Sequence, residues 1–466
     1  RAELHVAFVD WVESAAGDRI MEYEEIRGFH LEQAYEIRSE LGIQDEDVVT
    51  LGRRAASYLS SAGRRALNRG DLPAADNLLR RAAATLPHGD AFAVELLVEA
   101  GEALVDLGEL AQADEVLGSA IDQANARADA IAALGATIVR MRLHYETEGE
   151  DPDGTLLQDV EAAVGEFEAA GDHMGLIRAS HLLLLMHWTA GRHGAAEQAA
   201  LKTIEHARAV GDRTREIRIL PALATCSTYG PTPVDEAAAR CAHLLEEVGG
   251  DQKADALIRA SLARLEAMRG NFEEARQLYR RSRATLEEFG WNLFAALTSI
   301  DSGTVELMAR DPVAAEGELR RDFETLEAMG ERNYIATTSA YLAFALLLQG
   351  KYDEADRYIT FSEETAAPDD LTSQFLWRQF RARLLSINDK HDDAIALALR
   401  AVELTDQTEE TESQGNSRLD LAHVYWRAGM TAQAEASFLD AQERFRRKGI
   451  AVLVEDVQRR LDALNS

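Results

Sequence analysis

Residues 421–434, Leu-Ala-His-Val-Tyr-Trp-Arg-Ala-Gly-Met-Thr-Ala-Gln-Ala, place apolar or small side chains at Leu421, Ala422 and Tyr425, break at Gly429, and resume the pattern with Ala434, Phe438 and Ala441. Helical spacing on both sides of a glycine marks two amphipathic helices joined by a tight turn rather than strands. The element Gly-x-x-x-x-Ala recurs as Gly70/Ala75, Gly108/Ala113, Gly191/Ala196, Gly270/Ala275, Gly350/Ala355 and Gly429/Ala434. The last four intervals are 83, 79, 80 and 79 residues, so halving them predicts hidden turns near residues 150, 230, 310 and 389. Breaker-rich patches stand at each place: Gly149 to Gly154, Gly230 to Pro233, Arg310-Asp311-Pro312, and Asn388 to Lys390. Ten helical hairpins of about 40 residues follow.

The turns carry matching chemistry. Thr232 and Asp311 are placed to cap helices opened by Pro233 and Pro312, because proline lacks only an amide hydrogen that has no partner in a first turn. Second helices are expected to end before Gly171, Gly211, Gly249, Gly290, Gly330 and Gly449, where a left-handed residue costs glycine least. The recurring alanines let helices cross closely and leave grooves for the Leu, Phe and Tyr of a neighbour. Arg80-Arg81, Arg320-Arg321 and Arg446-Arg447 read as solvated charge near the negative ends of second helices. Pro221 interrupts the helical pattern from Thr214 to Thr228 and predicts a kink or a late start there.

The pattern Leu-Ala-x-x-Tyr-x-x-x-Gly-x-x-x-x-Ala resembles the tetratricopeptide repeat (TPR), at a period longer than its usual 34 residues. The expected fold is all-α, a right-handed α-solenoid of about ten TPR-like helical hairpins with first helices on the concave face. Residues 46–448 form this solenoid and residues 449–466 its capping helix. In that last segment Ile450, Leu453, Val454, Val457, Leu461 and Leu464 occupy one side, with Glu455, Asp456, Arg459 and Arg460 on another, as a polar lid requires. Residues 1–45 stand off the grid: Leu4, Phe8, Trp11 and Val12 suggest one amphipathic helix, and Met21 to Leu41 another.

Composition narrows the function. The 466 residues carry 49 Lys+Arg against 81 Asp+Glu, a formal charge of −32, which repels phosphate backbones and anionic lipid and argues against direct nucleic-acid or membrane binding. Lysine occurs only at 202, 253, 351, 390 and 448. Two cysteines, Cys226 and Cys241, are too few for a disulfide scaffold, so a reducing cytoplasm is expected. The longest apolar stretch, Tyr341 to Leu348, falls short of the roughly 20 residues a membrane span needs. The opening at Arg1 reads as a piece of a longer polypeptide.

Arg1-Ala2-Glu3-Leu4-His5, Phe8 with Asp10-Trp11, Glu24-Glu25-Ile26, His30-Leu31-Glu32-Gln33-Ala34-Tyr35, Ala62-Gly63-Arg64-Arg65-Ala66-Leu67 and Gly70-Asp71-Leu72-Pro73-Ala74-Ala75 together resemble a bacterial stretch. It is similar to the region following the ATPase and winged-helix modules of STAND-type signalling ATPases, some linked to class III adenylate or guanylate cyclase domains and others to DNA-binding domains of transcriptional activators. The resemblance implies that residues 1–45 are a helical adaptor after a missing winged-helix/ATPase region, and that the solenoid is a sensor arm. It carries no catalytic residue onto this chain.

The chemistry-bearing motifs point the same way. The only Gly-Lys pair, Gly350-Lys351, has Ala345 where a phosphate loop needs its first glycine and Tyr352 where it needs Ser or Thr. His173, His181, His187 and His193 are spaced 8, 6 and 6 apart, without the i, i+4 pair of a helical metal site. No Gly-x-Ser-x-Gly elbow occurs. No catalytic residue, cofactor or metal is expected, and the fragment is read as non-enzymatic. Counting back from each turn places Arg178, His181, Trp188, Arg264, Phe344, Arg383, His423, Trp426 and Arg427 as groove-lining candidates. Arg forks to carboxylates and Trp offers a flat apolar face, so a protein or peptide partner, or a small effector, is expected in the groove. The alternatives are a plain assembly scaffold and a sugar-sensing solenoid of an activator.

Overall fold

The computed structural model describes residues 1–15, 23–43, 45–148, 155–331, 334–368 and 370–464. Among these there are twenty-three α-helices and no strand. Two helices come first, α1 (Ala2–Ala15) and α2 (Glu24–Glu40). Ten hairpins follow: α3 (Glu46–Asn68) with α4 (Leu72–Ala84), α5 (Ala91–Leu107) with α6 (Leu110–Ala126), α7 (Ala130–Glu148) with α8 (Leu156–Ala170), α9 (His173–Thr189) with α10 (His193–Ala209), and α11 (Arg213–Tyr229) with α12 (Val234–Glu247). The remaining five are α13 (Gln252–Arg269) with α14 (Phe272–Glu288), α15 (Asn292–Met308) with α16 (Pro312–Met329), α17 (Tyr334–Leu348) with α18 (Tyr352–Thr365), α19 (Leu371–Ile387) with α20 (His391–Thr405), and α21 (Thr411–Arg427) with α22 (Thr431–Lys448). Helix α23 (Ala451–Leu464) ends the chain. The fold is therefore an α-solenoid on the forty-residue grid; the turn expected between Gly149 and Gly154 lies outside the described residues.

Local chemistry explains most joints and corrects two expectations. Asp311 accepts from the Ala314 amide at 3.0 Å and Pro312 opens α16, as the capping argument requires. Thr232 does not cap: Pro233 takes the cap position of α12 and the Thr232 hydroxyl donates to Glu197 at 3.1 Å. Helix α11 starts at Arg213 and runs through Pro221, so there is no late start. The arginine pairs at 80–81 and 320–321 are ties rather than solvated caps. Arg80 forks onto Asp76 at 2.7 Å, Arg81 reaches Glu32 on α2 at 2.9 Å, and Arg320 joins Glu354 of the following hairpin at 2.7 Å.

The chain divides into two compact units, Arg1–Leu182 and Leu183–Ser466. In the first, Val9 packs with Leu31 and Ala34 of α2 and with Leu51 and Ala55 of α3. The face expected on α1 is partly wrong: Val12 is buried, but Leu4 is 73% and Trp11 61% exposed. Successive hairpins then share a core through residues such as Leu59, Leu79, Leu104 and Leu117. Truncating one of these fully buried leucines to alanine is expected to cost about 2–5 kcal/mol.

The second unit closes on itself. One hydrophobic cluster contains Ala200, Leu220, Cys226 and Leu265 from α10, α11 and α13 together with Phe438, Phe445, Val457 and Leu461 from α22 and α23. A polar seam runs beside it. The Glu409 amide donates to the Gly191 carbonyl at 2.8 Å, the Gly194 amide donates to the Glu409 carboxylate at 2.6 Å, and His193 Nε2 lies 3.0 Å from Glu410 Oε1. Gly191 has φ +65°, and a Cβ there would meet Thr408 Cγ2 at 2.7 Å, so the joint requires glycine on both counts.

Lys448 adds a further tie. Fully buried, it donates to the carbonyls of Ser227, Gly230 and Thr232 at 3.0, 2.6 and 2.6 Å. The cause lies in the turn. Pro231 has no amide hydrogen to return to the Ser227 carbonyl four residues back, and Gly230 is extended (φ −71°, ψ −168°) instead of left-handed. The end of α11 therefore offers open carbonyls, and three N–H groups of one ammonium fill them. Burial pushes the Lys448 amine down to about 8, still charged at neutral pH.

Candidate functional site

A cavity of about 610 Å³ opens inside the second unit. Its wall comes from first helices α15, α17, α19 and α21, from α23, and from Arg310 and Pro312 at the joint between α15 and α16. This volume lies in the range that holds a small molecule or a few peptide residues.

One side is aromatic. Phe344 and Phe380 stack with centroids 4.6 Å apart and planes at 10°, Tyr341 lies beside Phe380 at 6.3 Å, and Arg383 sits 5.3 Å over the Phe344 ring. Gln379 also lines the cavity; it is almost fully buried and its Nε2 has no hydrogen-bond partner.

The other side is a cluster of guanidiniums. Asp456 of α23 receives Arg310, Arg460 at 2.7 Å and Arg459 at 3.1 Å. Arg460 also donates to His423 Nε2 at 2.6 Å, and Arg383 pairs with Asp420 at 3.3 Å. Burial drives the His423 proton off, with help from Arg383 and Arg460, so the imidazole is neutral and accepts. Burial raises the Asp420 carboxyl against the pull of Arg383, whereas at Asp456 the hydrogen bonds from Arg310 and Arg460 outweigh burial and hold the carboxyl low.

The cavity meets a second buried tie between distant helices, α13 and α21. Glu412 lines the cavity and accepts from Arg264 at 2.8 Å. Arg264 also donates to Asp301 at 2.8 Å and to Thr304 at 2.7 Å, and lies 4.7 Å over the Tyr229 ring. Removing one partner from such a buried cluster costs about 3–5 kcal/mol, because the remaining charge is stranded.

The groove candidates separate accordingly. Phe344, Arg383, His423 and Trp426 line the large cavity. Arg427 lines a neighbouring pocket of about 140 Å³ that also includes Arg383 and His423, and its guanidinium is tied to the Ser386 carbonyl at 3.0 Å. Arg264 is held in the buried cluster, and Trp188 packs edge-on against His193 and Tyr229. Arg178 and His181 belong to the first unit, where Arg178 pairs with Glu102 at 2.9 Å. Sequence reasoning missed Tyr341, Gln379, Arg459 and Arg460. Their signal was available in part: Tyr341 and Gln379 lie on first helices, but α23 was read as a lid facing water.

Among the described residues no three His, Cys, Asp or Glu side chains gather as metal ligands. Cys226 and Cys241 are free and buried, each thiol pushed up to about 12 by burial. No described helix is long and apolar enough to cross a membrane.

Residues 256–281 and 416–438, the turns around Gly270 and Gly429, match the tetratricopeptide repeat family. The repeat region is TPR-like. Among solved structures, the APC/C hetero-tetramer Cut9-Hcn1 is similar over 95% of this chain and 87% of that chain, at 12% identity and a TM-score of 0.52. The apo form of RapI is similar over 79% of this chain and 98% of its own, at 12% identity and a TM-score of 0.48. A Rap protein complexed with Competence and Sporulation Factor is similar over 81% and 98%, at 12% identity and 0.44. No curated protein matches in sequence. The TPR-like assignment thus rests on the repeat matches and on the fold shared with Cut9-Hcn1.

Proposed function

We propose that this TPR-like chain is the non-catalytic sensor arm of a STAND-type signalling ATPase, with residues 1–45 as the adaptor to an ATPase region and residues 449–466 closing the solenoid. A protein, peptide or small effector binds in the concave groove, and the parent protein acts in the cytoplasm through a cyclase or DNA-binding output. The observation that supports this most is that Glu412 both lines the cavity and ties α21 to Arg264 of α13, 148 residues away in sequence. A ligand that prefers the closed arrangement over a parted one would shift the balance between them, which is all a sensor needs.

The test has two arms. Coding sequence upstream of Arg1 should contain a phosphate-loop motif, and residues 1–466 alone should not turn over ATP. Appreciable hydrolysis by this chain would sink the assignment. A plain scaffold would instead give stable complexes in pull-downs and no melting shift with any effector.

A further inference from the structure

We propose that the cavity of the second unit binds a small organic anion, a carboxylate or phosphate on a flat apolar body, with Arg310, Arg459 and Arg460 at the oxyanion and Tyr341, Phe344 and Phe380 at the ring. The inference rests on the reading of the concave groove as the binding face and names the ligand chemistry.

Charge arithmetic carries it first. Four guanidiniums in the wall, Arg310, Arg383, Arg459 and Arg460, stand against three lining carboxylates, Glu412, Asp420 and Asp456, an excess of one positive charge, and Glu412 is turned toward Arg264. The wall is therefore net positive in a chain of formal charge −32. Asp456 alone serves three arginines, and two of them keep free surface: Arg310 is 56% and Arg459 53% exposed at the side chain. An incoming oxyanion would complete their hydrogen bonding in the forked geometry guanidinium favours. Burial, with added repulsion from Arg383 and Arg460, keeps His423 neutral, so it is an acceptor in this wall and not a further cation.

Shape carries it second. The stacked pair Phe344–Phe380, with Tyr341 alongside, supplies an apolar surface of ring dimensions within the same 610 Å³. A bare ion would leave that surface unfilled. A neutral ring would leave the arginines unanswered.

The full chain should be titrated calorimetrically with 1-naphthyl phosphate, 1-naphthylacetate, 2-(1-naphthyl)ethanol and inorganic phosphate. At least one naphthyl anion should bind at a single site, about tenfold or more tighter than the alcohol and than inorganic phosphate, as loss of a charge-assisted contact implies. The order of the two anions tells a phosphate ester from a carboxylate. Arg460→Gln and Arg459→Gln should each weaken the anion by roughly fivefold or more and leave the alcohol unchanged. Arg459 has a single pairing and an exposed side chain, so it serves if the Arg460 variant does not fold. Equal binding of alcohol and anion, unchanged affinity in a folded Arg459→Gln protein, or no binding by any probe overturns the inference. Absence of binding leaves a macromolecular partner open to the sensor reading, whereas ATP turnover would end that reading without touching this result.

Discussion

The two units use the same hairpin but end differently. In the first, side chains reach helices no more than 76 residues away along the chain: Arg64 to Glu99, Arg81 back to Glu32, and Arg178 back to Glu102. In the second, Arg310 reaches Asp456, Arg264 reaches Glu412, and Lys448 reaches the end of α11, 146 to 221 residues away in sequence. Repeat positions such as Ala275 and Ala434 are alike in kind along the whole chain, so they do not cause the closure. The cause is a handful of departures from the repeat: Pro231 and Pro233 in one turn, a buried lysine at the end of α22, and Glu409-Glu410 in one connection.

This contrast can be broken or sharpened by substitution. The largest effect is expected for Lys448→Met, which strands two buried carbonyls and one part-buried one and should destabilise the second unit by about 3 kcal/mol or more in chemical denaturation, leaving the first unit unchanged. Ala275→Leu tests the grid instead of the seam. Ala275 is fully buried between α13 and α14, and overpacking it should cost about 1–3 kcal/mol in a thermal melt. The gap between wild type and Lys448→Met should also depend on pH. Because the folded amine titrates at about 8, below its unfolded value, the unfolded chain holds the extra proton above that point. The gap therefore widens from about pH 8 toward the unfolded lysine value of about 10.4 and is flat below. The smallest effect belongs to Arg446→Gln, two residues from Lys448 but exposed, where a change within about 0.5 kcal/mol is expected.

Much of this architecture was legible in the sequence. Glycines at the turns, alanines five residues on and helical apolar spacing are local signals, and they located the hairpin joints, including Arg310-Asp311-Pro312, where no glycine stands. The candidate site was legible by halves. Phe344, Arg383, His423 and Trp426 follow from counting back along first helices. Arg459 and Arg460 do not, because α23 was assigned its polar side by amphipathicity alone, and amphipathicity cannot distinguish bulk water from a polar cavity. The seam was hidden for a related reason: nothing near Lys448 in sequence reveals which carbonyls it meets. Two hints stood in view. Lysine occurs only five times, and the turn at Gly230 to Pro233 carries two prolines that leave carbonyls open.

The most direct test of the closed second unit is amide hydrogen exchange at Glu409 and Gly194. The Glu409 amide lies in a connection and the Gly194 amide in the first turn of α10, so neither has a partner within its own hairpin; both are bonded only across the seam. Closure predicts slow exchange at both, accelerated together in Lys448→Met while amides in the middle of α5 keep their rates. Exchange at the free-peptide rate in the wild-type protein would contradict it.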